Sequence, residues 1–371
     1  MTADLTALSQ SLRENVSQLK NINIVAGFDG FIDQMISLVE KRTSQQLFEP
    51  IKTISDFAEK VAAAAGKSSL SEIVIKSNDP GGCAVNLGDG MLGYGVQLDY
   101  FGTLGNPINP AFNDFVKRCN NCTPWPCEPG LTMALEFQDG KYMLSSVSQL
   151  AKFTPEMLDQ CLEDGRFMEA CRRAKLIAIT DWTLYPNMTA CWEKLQKDIL
   201  SKLTHRPRFF IDLVDPRIRN RKDITEMFKV LEGFESCGPT TFGGNLNEAN
   251  AAAEIFGIKT VDEENGEAVA DLSSQIREKI GIDEVSTHCV KMAAVAGKGY
   301  SAHTPGPFCK KPIKSVGAGD RFNAGYCIGL ILGLNPFQRL ALGNATSGFF
   351  VRNARSGSIL EIADFIDKWA N

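Results

Sequence analysis

The chain has 371 residues, 44% hydrophobic and 22% charged, with 39 basic against 44 acidic residues and a net charge of −5. This is the balance of an ordinary globular protein with chain enough for a large core. No block of like charge favours nucleic acid as a partner, and no apolar run approaches the roughly 20 residues that a membrane span needs.

The opening stretch MTADLTALSQSLRENVSQLK places Leu5, Leu8, Leu12, Val16 and Leu19 at helical spacing and predicts an N-terminal helix over 1–20. It lacks the basic and apolar regions of an export signal, so a cytoplasmic protein is expected. "NINIVAG" (21–27) reads as the first buried strand. An insertion over 34–80 follows. Inside it, "VAAAAGKSS" imitates a phosphate-binding loop at Gly66-Lys67-Ser68. The glycine required five residues earlier is Val61, however, and the run before it is helical, so Gly66 is expected to cap a helix C-terminus. "GDGMLG" (88–93) spells a dinucleotide fingerprint but lies within the apolar period Ala84, Leu87, Met91, Leu92. It predicts a glycine-rich helix packed closely on a neighbour.

"LDYFG" (98–102) is a second strand. Cys119, Cys122 and Cys127 follow in "CNNCTPWPC". The first pair has zinc-like spacing, but a closed site needs four ligands and no second pair follows. The plainer reading is free loop thiols, in line with eleven cysteines scattered through a long chain. Two strand-like arms around Asp139-Gly140 predict a hairpin over 131–147. "KLIAIT" (175–180), "RFFID" (208–212) and "HCVKM" (288–292) read as further buried strands, with helices near 189–203, 247–256 and 271–280 between them. This alternation predicts a doubly wound α/β fold: a mostly parallel sheet with helices on both faces. The chain reads as one domain over 1–371, with a small discontinuous β lid from parts of 34–80 and 131–147.

The stretch "KSVGAGDRFNAG" (314–325) carries most of the chemistry. Phe322, Tyr326 and Leu330 continue it as a helix, so Gly317, Ala318 and Gly319 sit at a helix N-terminus. There, free N–H groups and the helix dipole favour an anion. Asp320 lies in the first turn. Local chemistry leaves two readings open: an anion site with a base beside it, or a plain helix start with a stabilising carboxylate.

"PGGCAVNLGDGMLGYG", then "YFGTLG", then "KSVGAGDRFNAGYCIGLILG", in that order, resemble the ribokinase-like (PfkB) carbohydrate kinase family from about residue 22 onward. The resemblance implies a ribokinase-like fold and phosphoryl transfer from ATP, with Mg2+, to a hydroxyl of a sugar or sugar-like substrate. It implies Asp320 as general base and Gly317, Ala318 and Gly319 as anion hole. It also implies sugar binding by Gly81, Gly82, Asn86 and an aspartate after the first strand, with Asp33 preferred to Asp29. Asn344 and Asn247 would meet the nucleotide, and Glu248 would meet the metal through water or phosphate.

Three departures stand out. In "NLNEAN" the family's N-x-x-E pattern fits either Asn247 with Asn250 or Asn245 with Glu248. Ala293 stands where a glycine near the nucleotide is common. Lys314 and Ser315 replace the usual Asp-Thr, so the Lys314 ammonium is expected either to take the place of a monovalent cation or to point to solvent. Other readings remain: a nucleoside or sugar-phosphate kinase of the same family, or a sugar- or nucleotide-binding regulator without catalysis. A homodimer through the lid hairpin is also expected as possible.

Overall fold

The computed structural model describes residues 2–262 and 265–370. Residue 1 of the expected N-terminal helix thus lies outside the described residues. The rest forms two helices rather than one, α1 (Thr2–Glu14) and α2 (Val16–Leu19). Asn15 breaks the run because its side chain turns back and donates to the Ser11 carbonyl at 2.8 Å.

Strand β1 (Asn23–Gly27) leads directly into β2 (Phe31–Arg42), β3 (Phe48–Pro50), helix α3 (Ile54–Ala63) and β4 (Ile73–Gly81). Thr53 and Asp56 close a capping box on α3. Its C-cap is Ala64; Gly66, expected in that place, is two residues further on in a left-handed turn (φ 73°). Next come α4 (Cys83–Leu92), β5 (Gln97–Gly102), α5 (Asn113–Arg118), β6 (Asn121–Pro124) and the hairpin β7 (Gly130–Glu136) with β8 (Lys141–Ser146). Then α6 (Pro155–Leu162), α7 (Arg166–Arg173), β9 (Leu176–Ile179), α8 (Met188–Asp198), β10 (Arg208–Ile211), α9 (Arg221–Cys237), β11 (Thr240–Asn245) and α10 (Leu246–Phe256) alternate. The chain ends with α11 (Gly266–Ile280), β12 (Glu284–His288), β13 (Met292–Gly297), β14 (Tyr300–Pro305), α12 (Ala318–Ile331), α13 (Pro336–Asn353) and α14 (Ile359–Ala370).

Nine strands form the main sheet in the order β14-β13-β12-β11-β10-β9-β1-β5-β6. The seven from β12 to β6 are parallel, and β13 and β14 run antiparallel at one edge. Two expectations need correction here. "HCVKM" is no strand: His288 ends β12, Met292 begins β13, and the residues between turn the chain back. Ala293 accordingly sits in β13, fully buried. Strand β11, "TTFGGN", was not expected, because Gly243 and Gly244 dilute its apolar character. Gly243 is needed there because a side chain would collide with the Phe210 ring of the neighbouring strand.

Helices cover both faces. On one, Leu5, Leu87, Phe322, Leu342 and Ile362 join a single apolar cluster. On the other, Leu158, Phe167, Trp192, Leu231 and Ile276 form a second. The insertions expected at 34–80 and 131–147 pair with each other: β2 accepts β3 and β4 antiparallel and β7 parallel, and β8 closes the edge. The result is one small sheet beside the main one. From β1 the chain runs outward to β5 and β6, then resumes on the other side at β9. This reversal opens a crevice at the carboxyl ends of β1 and β9, the usual place for a ligand in such sheets.

Candidate active site

Helix α12 starts above that crevice. Its N-cap, Gly317, is left-handed (φ 82°), and a side chain there would lie 2.7 Å from the Arg321 guanidinium and 3.1 Å from the Asn86 amide. Only glycine serves both demands. First-turn N–H groups such as that of Gly319 have no intrahelical partner and face the crevice mouth. Ala318 differs, since its N–H is turned back onto the Ser315 carbonyl at 3.1 Å.

Asp320, in the first turn, accepts a 2.9 Å hydrogen bond from Asn86 Nδ2 on α4. This bond joins the N-terminal and C-terminal motifs across 234 residues of chain. Burial, reinforced by the nearby Asp212 carboxylate, pushes Asp320 up to about 7; the Arg321 guanidinium and the Asn86 amide oppose the rise. Asp212 stands just after β10 and is itself raised to about 6, chiefly by burial. It accepts from the Val214 N–H and from Asn323 Nδ2.

Helix α4 is positioned from beneath by Asp29. One carboxylate oxygen accepts from the Ala84 N–H (3.0 Å) and the Thr180 hydroxyl (2.6 Å), which ties the ends of β1 and β9 to the start of α4. Asp29 is fully buried. Asp33, the third residue of β2, lies with its carboxylate against Gly81 and pairs across the small sheet with Asp79. Gly82 N-caps α4 between the two aspartates' elements. Burial raises Asp33, while Lys314 and the Thr132 hydrogen bond pull it down. The Lys314 ammonium is 3.5 Å from Asp79. It therefore reaches across the crevice to the small sheet while staying part-exposed.

On the far side of Asp320 a cavity of about 540 Å3 opens. Asn245, Asn247, His288, Gly319, Phe322 and Asn344 are among the residues lining it. The two frames of "NLNEAN" are now distinguishable. Asn245 N-caps α10, and both Glu248 oxygens accept from Asn245, one from its N–H and one from its side-chain amide. Asn250 is instead committed to the backbone of Val261. Glu248 is buried and raised by that burial and by Asp212. Asn247 is exposed at the rim, and Asn344 reaches the Thr304 and Pro305 carbonyls at 3.5 and 3.4 Å. Cys119 and Cys122 are elsewhere, packed partly into the core, and burial raises both thiols, Cys122 to about 12.

Asp212, Asp181 and His288 were missed in the sequence. Each follows or ends a parallel strand, a position that topology alone marks as facing the crevice.

A family model described as prokaryotic ketohexokinase matches residues 2–369. A ketohexokinase of Haloferax volcanii is 25% identical over 365 residues, covering 96% of this chain and 94% of that protein. Among solved structures, a putative ribokinase II from E. coli in complex with ATP and Mg2+ superposes with a TM-score of 0.62 at 14% identity, covering 94% of this chain and 99% of that one. Ribokinase from Thermotoga maritima gives 0.59 at 14%, with coverages of 94% and 99%. These last two speak for the ribokinase-like fold. With the family model spanning nearly the whole chain, the protein belongs to the prokaryotic ketohexokinase family and is a carbohydrate kinase.

Proposed function

We propose that the chain transfers the terminal phosphoryl group of ATP to a hydroxyl of a ketohexose. The observation that carries this reading is the Asn86–Asp320 hydrogen bond, which brings the expected sugar motif and the expected anion cradle to one carboxylate. The sugar lies between Gly81, Gly82, Asn86 and Asp33, with the small sheet as lid, and the nucleotide occupies the cavity on the other side of Asp320. The hydroxyl oxygen attacks the terminal phosphorus as its proton passes to Asp320. The new O–P bond forms as the bond to ADP breaks. Asn86 holds one Asp320 oxygen and leaves the other for the hydroxyl. A base raised to about 7 is well matched to neutral pH. The N–H groups at the start of α12 receive charge developing on the phosphoryl oxygens.

Magnesium, when bound with ATP, neutralises phosphate charge. Among the described residues no group of three or more His, Cys, Asp or Glu side chains is arranged to hold a metal. That fits an ion carried mostly by phosphates and water. Asn245, steered by Glu248, and Asp212 are the residues that would meet it. Each Glu248 oxygen accepts one bond from Asn245 and so orients it, and the remaining lone pairs would meet the ion through water.

One observation bears on the alternative of a sugar-phosphate acceptor. Lys314 supplies a cation on the sugar side, but Asp79 already pairs with it and Asp33 adds negative charge. That balance favours a neutral sugar. The test is a coupled assay with Mg-ATP against ketohexoses, aldoses, sugar phosphates and nucleosides. A ketohexose is expected to give the highest kcat/KM; a higher value for a sugar phosphate or nucleoside overturns the assignment.

A further inference from the structure

His288 is not accounted for by the reading above. It ends β12 in register with Asn245 of β11 and lines the same cavity. Its ring lies flat beside the start of α12: a methyl group placed on Gly319 would be 2.8 Å from Cε1 and 3.0 Å from Nε2, but 3.9 Å from Nδ1. The Cε1–Nε2 edge is thus turned to the cradle. Phe322, one turn along α12, backs the ring at 5.1 Å between centroids. Neither ring nitrogen has a hydrogen-bond partner among the described residues. A ring held by packing on one side, with an unused nitrogen at the mouth of a helix N-terminus, is built for a ligand and not for the core.

We propose that His288 is a phosphate-contacting residue of the nucleotide site, its Nε2–H donating to a phosphate oxygen of ATP beside the N–H groups at the start of α12. The inference rests on the nucleotide placement given above. Burial lowers His288 to about 4, so before nucleotide binds the imidazole is uncharged at neutral pH and offers one N–H.

The test compares ligands that differ in phosphate. Wild-type turnover with Mg-ATP is measured first; if there is none, the phosphoryl-transfer reading falls and this inference falls with it. Given turnover, inhibition constants against ATP are then measured for adenosine and for tripolyphosphate in wild type, His288→Ala and His288→Gln. The alanine variant is expected to weaken tripolyphosphate and raise KM for ATP by about ten-fold or more, the usual value of a hydrogen bond to a charged group. Adenosine inhibition and KM for the sugar are expected to stay within about two-fold. His288→Gln, which keeps an N–H at similar reach, should recover most of the loss and stands in if the alanine variant does not fold. Equal weakening of adenosine and tripolyphosphate, no loss with either, or no recovery by glutamine overturns the assignment.

Discussion

The two sides of Asp320 are built from different chemistry. Toward the small sheet the crevice is charged: Asp33, Asp79 and Lys314 face one another across it. Toward the cavity the wall is mostly uncharged, made of His288, Asn245, Asn344 and backbone, although the exposed Asp262 also lines it. Hydroxyls need directed acceptors, which carboxylates and amides provide. A polyphosphate would be repelled by those carboxylates and is better served by N–H groups and a dipole. Asp320 sits where the two chemistries meet, and burial there makes it a weaker acid.

The comparison can be broken most sharply at the carboxylate itself. Asp320→Ala should lower kcat by about 10²–10⁴-fold, the usual contribution of a general base, with KM for both substrates little changed; full turnover in steady-state kinetics would refute its role. Next in size, Asp33→Ala should lower kcat/KM for the sugar about ten- to a hundred-fold, as lost hydrogen bonds to a charged group do, and leave KM for ATP alone. A matching loss on the ATP side would erase the distinction between the two sides.

Titration gives the third measurement. A base raised to about 7 must be ionised to work, so kcat/KM should rise with pH through about 7 and be lost in acid. Asn86 lowers Asp320 by donating to its carboxylate. Asn86→Ala should therefore move the acid limb upward, and a downward move would contradict the geometry. The same raised value has an opposite sign for stability. The fold prefers protonated Asp320, a preference fully present below about 3.8 and lost as pH rises through about 7. Asp320→Asn should then raise thermal stability above pH 7, by roughly 1–3 kcal/mol. Smallest of all, Lys314→Met should shift KM for the sugar a few-fold without touching KM for ATP. It breaks one part-exposed pair, worth about 0.2–1 kcal/mol, and frees Asp79 and Asp33 to repel each other.

The same divide governs what could be read in advance. On the proposed sugar side the residues are short glycine-bearing motifs local in sequence, so Gly81, Gly82, Asn86 and Asp320 stood out before any fold was known. Lys314 also stood out, but its partner did not, because Asp79 belongs to a strand that only the small sheet brings near. On the proposed nucleotide side the wall comes from scattered single residues, Asn245 and His288 at strand ends and Asn344 within α13. Strand β11 hid behind its glycines, so the register of "NLNEAN" waited for the capping box between Asn245 and Glu248. His288 was hidden by a misplaced strand, since "HCVKM" is apolar enough to pass for one although it is the turn between two. The alternation that predicted a doubly wound sheet survived these errors, because parallel strands buried on both faces need continuous apolar runs whatever their ends carry.

One contact fixes how the site can move. Helices α4 and α12 meet so closely that a methyl group on Gly90 would lie 2.6 Å from the Ala324 methyl, and Arg321 pins the same pair to Asp89 at 2.8 Å. Asn86 and Asp320 ride on these two helices, so the close contact sets their spacing. Under the proposed reading, closure over substrate falls to the small sheet, and one added methyl at position 90, a full turn from Asn86, acts as a wedge that reaches Asp320.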